Sequence, residues 1–373
     1  MLYIRADGNA ESGMGHVMRC LSVAEAATNI DHVYPPVFIT ADGGCRTLIE
    51  ERGFRVIVLE TDYRDMMSEL LQLDSLLQKQ DVLLVDSYQA DSGYYLALRK
   101  LVNVACFEDT GQAYPVDLLI NYNIYAPDLE RHYKEQNPGS GANGRFPREI
   151  LLGAEYMPLR KAFQEPTGYV VNNKVTDVTI TTGGSDPYFA MGAFADVLSS
   201  DRTLAEQGIH LHLISGPFNR FAGELKRRYQ HDGVREWHGC KKELSHMCGV
   251  TITIHENVKD MRSLLLDSDV VITATGSTIY EVSSLGVPMI VFYFAENQRQ
   301  GAEALEKLTD IVNAGCFSRN PELVADNIRE ALKRCITDKS YRKLLHRQER
   351  ELIDGKGARR IAEQLMGLAA ETR

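Results

Sequence analysis

The chain has 373 residues, 44% of them hydrophobic and 25% charged, with a formal net charge of −10. That length exceeds one ordinary core, so two domains are expected, and the composition is that of a globular protein. The acidic balance excludes general binding to nucleic acid or to an acidic membrane surface, so a phosphorylated ligand would need a locally positive site. No stretch is long or apolar enough to span a bilayer, and the N-terminus lacks a signal-peptide layout, so a cytoplasmic chain is expected. Seven cysteines, an odd number scattered along the chain, suit reduced thiols better than a disulfide frame.

The first strand, Leu2-Tyr3-Ile4, runs through a glycine-containing loop into a helix. Val17, Leu21 and Ala24 mark one helix face at i, i+4 and i+7. Ser12 or Asn9 is the expected cap, while Gly13, Met14 and Gly15 would bring the backbone close to a ligand. The free N–H groups and the dipole of such a helix start suit a phosphate or a developing negative charge. His16 falls in the first turn, where an imidazole is expected to be neutral and ready to accept a proton. The loop is not the dinucleotide fingerprint, because Arg19 and Cys20 follow Met18 where the third glycine would stand. Nor is it a Walker loop, since no Gly-Lys-Ser/Thr follows.

Further strands are expected at 36–40, 55–59, 81–86, 102–107 and 118–121, with helices at 47–52, 66–80 and 94–100. Strand and helix alternate, which predicts a doubly wound parallel sheet with its ligand beyond the C-terminal strand ends. The polar, glycine-rich stretch 127–147 reads as a surface loop, followed by a short strand at 150–153. A boundary within 165–174 gives an N-terminal domain of 1–165 and a C-terminal domain of 166–373. The second half repeats the plan, with strands at 177–182, 210–215, 250–254, 269–273 and 289–294. A helix at 188–198 follows the turn Gly183-Gly184-Ser185-Asp186-Pro187. Another follows Ala274-Thr275-Gly276-Ser277-Thr278 and stops at Gly286. From about 301 onward the chain reads as mainly helical, with a basic, solvated face near its end. Two such sheets facing across a cleft would line it with strand ends and helix N-termini, a favoured ligand site.

The chemistry then has candidate bearers. Gly183, Gly184 and Ser185, with Thr275, Gly276 and Ser277, hold the ingredients of a diphosphate cradle at two helix starts. Glu281, one turn inside the second, would accept the hydroxyls of a ribose or else face solvent. Val258 would offer backbone groups to a base edge, by fold analogy. Tyr88 and Asn297 each follow a strand and serve either the site or loop packing; with His16 they would converge on one point. His238-Gly239-Cys240 and His246-Met247-Cys248 repeat a His-x-Cys pattern in the stretch 217–249, but at a spacing that fits no standard zinc finger.

Taken in order, Gly13-Met14-Gly15-His16, Thr182-Gly183-Gly184-Ser185-Asp186-Pro187, Ala274-Thr275-Gly276-Ser277 and Glu296-Asn297-Gln298 resemble the PseG family. These are UDP-sugar hydrolases of pseudaminic (nonulosonic) acid biosynthesis, similar to the MurG-like GT-B glycosyltransferases. The likeness spans about residues 1–315 and includes Phe107-Glu108-Asp109, Leu119-Ile120-Asn121-Tyr122-Asn123 and Leu152-Gly153-Ala154-Glu155-Tyr156. It implies an α/β GT-B fold of two Rossmann-like domains. It also implies removal of UDP from a UDP-2,4-diacetamido-2,4,6-trideoxyhexose, by water attack at the anomeric carbon. No metal and no cofactor are implied. His16 matches the family's catalytic histidine, Tyr88 and Asn297 match residues lining the sugar site, and Gln298 belongs to the substrate-binding set. A GT-B glycosyltransferase with a UDP-sugar donor and a non-catalytic nucleotide-sugar binder are the alternatives. Many relatives carry Asp-His-Tyr where this chain has Asp86-Ser87-Tyr88.

Overall fold

The computed structural model describes residues 1–8, 14–136, 147–165, 168–229, 234–237, 240–247 and 250–370. The chain divides into two compact units, Met1–Gln164 with Gly355–Arg373, and Glu165–Asp354.

The first unit contains β1 (Leu2–Ala6), α1 (Gly15–Ile30), β2 (Val37–Thr40), α2 (Arg46–Glu51), β3 (Arg55–Val58), α3 (Leu70–Leu76), β4 (Val82–Asp86), α4 (Ser92–Leu101), β5 (Asn103–Phe107), β6 (Leu118–Asn121), α5 (Glu130–Gln136) and β7 (Glu149–Leu152). Its strands are parallel, in the order β3-β2-β1-β4-β5-β6-β7. β4 is buried at every position, as a strand covered on both faces must be. Val82 and Leu84 join one core, Leu83 and Val85 the other, following the two-residue period of a strand.

The helix expected over 66–80 is shorter and begins as a 3-10 turn, Met66–Glu69. Glu69 is fully buried beneath β1, where it accepts hydrogen bonds from Arg5 Nε at 2.9 Å and Nη2 at 2.8 Å. Arg5 also reaches Asp7 at 2.5 Å, and the Tyr94 hydroxyl donates to Glu69.

The second unit contains β8 (Asp177–Thr181), α6 (Ala190–Ser199), α7 (Arg202–Gln207), β9 (His210–Ser215), α8 (Ala222–Tyr229), β10 (Val234–Trp237), β11 (Cys240–Met247), β12 (Val250–Glu256), α9 (Met261–Leu266), β13 (Val270–Ala274), α10 (Thr278–Leu285), β14 (Met289–Tyr293), α11 (Glu296–Leu308), β15 (Val312–Cys316), α12 (Pro321–Thr337) and α13 (Lys339–Leu352). Eight strands run in the order β10-β11-β12-β9-β8-β13-β14-β15. Six are parallel; β10 and β11 add an antiparallel hairpin at one edge. Two elements depart from expectation. The extension 217–249 contributes that hairpin, and β15 lies inside the stretch read as helical.

The last helix, α14 (Gly357–Ala370), corrects the expected domain of 166–373, because it belongs to the first unit. Ala358, Ile361, Ala362, Leu365 and Leu368 complete the core formed by Val17, Cys20, Leu21 and Ala24 of α1. Gly357 sits so close to the 154–157 turn that a Cβ there would lie 2.2 Å from the Met157 carbonyl oxygen. Arg360 donates to the Glu155 carbonyl at 2.8 Å. No helix among the described residues is long and apolar enough to cross a membrane.

Ile361→Ala is expected to destabilise the first unit by about 2–5 kcal/mol through lost burial and a residual cavity. Denaturant unfolding followed by probes placed in each unit checks this. A loss confined to the second unit would refute the placement of α14.

Candidate functional site

In the first sheet β1 has β2 on one side and β4 on the other, so the strand order reverses direction there. The crevice beyond the paired ends Ala6 and Asp86 is therefore the switch point, where open parallel sheets bind ligands. α1 starts at Gly15, which puts His16 in its first turn and Arg19 one turn further along the same side. β4 brings Asp86 to the same place, and the three side chains meet.

Asp86 Oδ1 lies 2.6 Å from His16 Nδ1. Arg19 donates from Nε to Oδ2 and from Nη2 to Oδ1, both at 2.5 Å, a bidentate fork on one carboxylate. Its Nη1 donates to Tyr122 Oη at 2.6 Å and to Asp109 Oδ2 at 3.3 Å. The guanidinium lies over the rings of Phe107 and Tyr122, 4.9 and 5.4 Å from their centroids. Burial opposes ionisation of Asp86, but the charge and hydrogen bonds of Arg19, joined by those of His16, hold its carboxyl well below the usual carboxylate range.

An ionised Asp86 requires His16 Nδ1 to carry a proton and donate it. Arg19 Nη2 lies 3.1 Å from that nitrogen, but Nδ1 then has no lone pair to offer it. In a neutral imidazole the same assignment puts the lone pair on Nε2, the form that can act as a base. Tyr88 packs edge-on against His16 at 4.7 Å, and its hydroxyl donates to Asp109 Oδ2 at 3.1 Å. His16 is only 9% exposed and Tyr88 is 64% exposed, so the phenol forms the outer wall of the histidine.

The residues around the loop are placed as follows. Met14, not Ser12 or Asn9, is the residue before α1, and its side chain makes no capping bond. Its Sδ would lie 2.9 Å from a Cβ at Gly8, so the Met14 side chain packs directly over that glycine. Gly15 is exposed, with open space where a side chain would be. Gly13, with Asn9 and Ser12, lies outside the described residues, as do the side chains of the His238, Cys240, His246 and Cys248 set. The sequence reading passed over Asp86, Arg19 and Asp109 as site residues. The available signals were an acid ending an all-apolar strand and a base one helical turn after His16.

In the second unit the corresponding reversal lies between β8 and β13. Gly183 has φ +82°, and a Cβ at Gly216 would lie 2.2 Å from the Gly183 carbonyl oxygen, so the turns after β8 and β9 are in close contact. Phe218 N donates to Gly184 O at 2.9 Å. Gly184 and Ser185 are exposed, but they do not begin a helix, which corrects the expectation. α6 starts only at Ala190, and Asp186 already accepts from Ala190 N at 2.9 Å and Met191 N at 3.0 Å. The chain's own carboxylate thus occupies that helix end. Burial raises the Asp186 carboxyl above its ordinary value, against the pull of these N–H groups.

α10 is arranged differently. It starts at Thr278 directly after the exposed Gly276 and Ser277, and the Ser277 side chain makes no capping bond. A Cβ on Gly276 would meet nothing within 4 Å. This helix end therefore has the room and the dipole for an anion. Thr275 Oγ1 donates to Gln298 O at 3.0 Å, and Gln298 Oε1 accepts from Phe294 N at 2.9 Å, which fixes the start of α11 beside it. Asn297 is exposed on that first turn. Glu281 is half-buried in the first turn of α10, and Val258 is half-buried in the loop after β12.

Residues 181–365 match the glycosyltransferase family 28 C-terminal domain. The chain is 25% identical over 369 residues to the spore coat polysaccharide biosynthesis protein SpsG of Bacillus subtilis, covering 98% of this chain and 97% of that protein. It is 27% identical over 308 residues to an uncharacterized protein of Methanocaldococcus jannaschii, covering 80% of this chain. There the match spans only 56% of the relative's length. Among solved structures, MurG of Acinetobacter baumannii superposes with a TM-score of 0.65 at 13% identity, over 98% of this chain and 99% of that chain. The fold is that of MurG-like GT-B proteins, with two Rossmann-like domains, and the likenesses are to the GT-B nucleotide-sugar enzymes.

Replacing Arg19 by Met removes the guanidinium counter-charge from the buried Asp86 carboxylate and is expected to cost about 3–5 kcal/mol at neutral pH. The folded-state value of Asp86 is depressed, so the stability it adds is full above the ordinary 3.8 and is lost as pH falls below it. The gap between wild type and Arg19→Met should therefore narrow in acid. Denaturation midpoints at about pH 7 and about pH 3 test this, and a gap that stays constant or widens would refute it.

Proposed function

We propose that this chain is a nucleotide-sugar hydrolase that removes UDP from its substrate, with His16 as the general base for an attacking water. The observation that carries the reading is the Asp86–His16 contact of 2.6 Å, which in the neutral imidazole puts the lone pair on Nε2. The water oxygen bonds to the anomeric carbon while its proton passes to Nε2. The bond from that carbon to the diphosphate oxygen breaks, and its electron pair leaves with UDP. Asp86 stabilises the imidazolium so formed without itself taking the proton.

In this reading Tyr88 and Asn297 contact the sugar. The α10 start at Thr275, Gly276 and Ser277 takes the diphosphate, whose charge grows as the bond breaks. Gly183, Gly184 and Ser185 contribute backbone N–H groups of a turn. Glu281 takes the ribose and Val258 the base. Backbone dipoles suit an acidic chain, since they bind phosphate without basic side chains. The resemblance to the PseG family favours a UDP-diacetamido-trideoxyhexose and a place in nonulosonic acid synthesis. The name of the Bacillus subtilis relative is in keeping with a role in building surface glycans.

A second reading, a glycosyltransferase, is favoured by the family 28 match over residues 181–365. The same base would then deprotonate an acceptor hydroxyl. Turnover of a UDP-, GDP- and CMP-sugar panel in 18O-labelled water separates the two. Hydrolysis places the label on the sugar's anomeric hydroxyl and none on UDP. Nucleotide release only with an added acceptor would replace the hydrolase by the transferase.

His16→Gln is expected to lower kcat by about 10²–10⁴-fold with UDP affinity retained. Asp86→Asn should give a loss within the same range by favouring the wrong tautomer. Equal turnover in wild type and both variants would remove His16 from the chemistry. Gly276→Val should weaken UDP binding about tenfold, near 1.4 kcal/mol, as read by calorimetry. Wild-type affinity in that variant would move the diphosphate away from α10.

A further inference from the structure

We infer that Asp177, His210 and His212 form a binding site for a first-row divalent cation, zinc in the first instance, at the starts of β8 and β9. The site is separate from the proposed reaction and does not depend on it. Asp177 opens β8 and pairs in register with His210, which opens β9. His210 and His212 are two residues apart on one strand, so they share a face, and their rings stack with centroids 4.0 Å apart.

One potential ligand atom from each of the three residues lies within 4.8 Å of the other two. Asp177 Oδ1 is 3.0 Å from His212 Nε2 and 3.6 Å from His210 Nδ1. Two donors bound tetrahedrally to zinc at about 2.0–2.1 Å are roughly 3.3 Å apart, so the two spacings bracket the value a bound ion requires.

The atoms facing away from this point are also held. His212 Nδ1 lies 2.9 Å from His255 Nε2, and His210 Nε2 lies 2.7 Å from Thr253 Oγ1. Thr176 Oγ1 donates to the second carboxylate oxygen of Asp177 at 2.7 Å. A ligating imidazole characteristically donates its other N–H to such a partner, which sets the ring and the tautomer. Both histidines have one, on β12, and the carboxylate has its own. A simple hydrogen bond between His212 and Asp177 would require neither His210 at the same oxygen nor its hydroxyl partner. Two imidazoles and a carboxylate suit zinc and leave a coordination position for water.

Asp177 and His210 begin the strands whose far ends carry the Gly183 and Gly216 turns. At about 3.3 Å per residue the ion would sit on the order of 20 Å from those turns. Its role would be to pin β8 to β9, not to touch substrate.

The test is to strip the full chain with chelator, add zinc or cobalt, desalt and measure bound metal. Wild type should retain roughly one equivalent, show a cobalt d–d band with nitrogen and oxygen ligation, and gain roughly 5 °C in Tm with excess zinc. Asp177→Asn and His210→Gln, with wild-type circular dichroism, should lose all three signals. Cys240→Ser/Cys248→Ser should keep them. An ion lost in the cysteine variant but kept in the Asp177 and His210 variants would overturn the assignment. So would the absence of any retained ion in wild type.

Discussion

The first unit depends on one buried carboxylate with two partners. Asp86 ends β4 in a place with almost no solvent, where an unpaired anion would be strongly disfavoured. The fork of Arg19 makes its charge tenable, and that charge in turn assigns the proton on His16. Arg19 is itself positioned by Phe107, Asp109 and Tyr122, which follow or end β5 and β6. The start of α1 and the ends of β4, β5 and β6 are thus tied to one another through a single guanidinium. Geometry at His16 is therefore a property of these strand ends taken together.

The two units share a plan but use it differently. The first places ionisable side chains at its switch point. The second offers glycine turns and a helix end, with hydroxyls in place of charges. Within the second, two helix starts that look alike in sequence diverge, because Asp186 folds back onto α6 while nothing on Ser277 does so at α10. A carboxylate two residues after a glycine pair is enough to take up the first N–H groups of α6.

Much of the architecture was readable because it is local. Apolar runs such as 82–85 announce buried parallel strands, and their alternation with helices announces the doubly wound sheet. His16 stood out because it falls in the first turn of a helix and Tyr88 because it follows a strand, and the structure brings them into ring contact. Other features were not readable in that way. β15 (Val312–Cys316) carries Asn313 and Gly315 and lacks a β-branched run, so its strand state rests on pairing with β14. The hairpin β10–β11 likewise takes its state from the edge it extends.

What the sequence by itself determined is the period of each element, the turn chemistry at its glycines and the candidate base in the first turn of a helix. These depend on neighbours within a few residues, where backbone geometry decides. Only the tertiary structure decided that Asp86 and Arg19 belong with His16, and that α14 returns to complete the core around α1. Those contacts join residues far apart in the chain, and no spacing rule encodes them. They exist because a buried charge must find its counter-charge and an apolar helix face its cover.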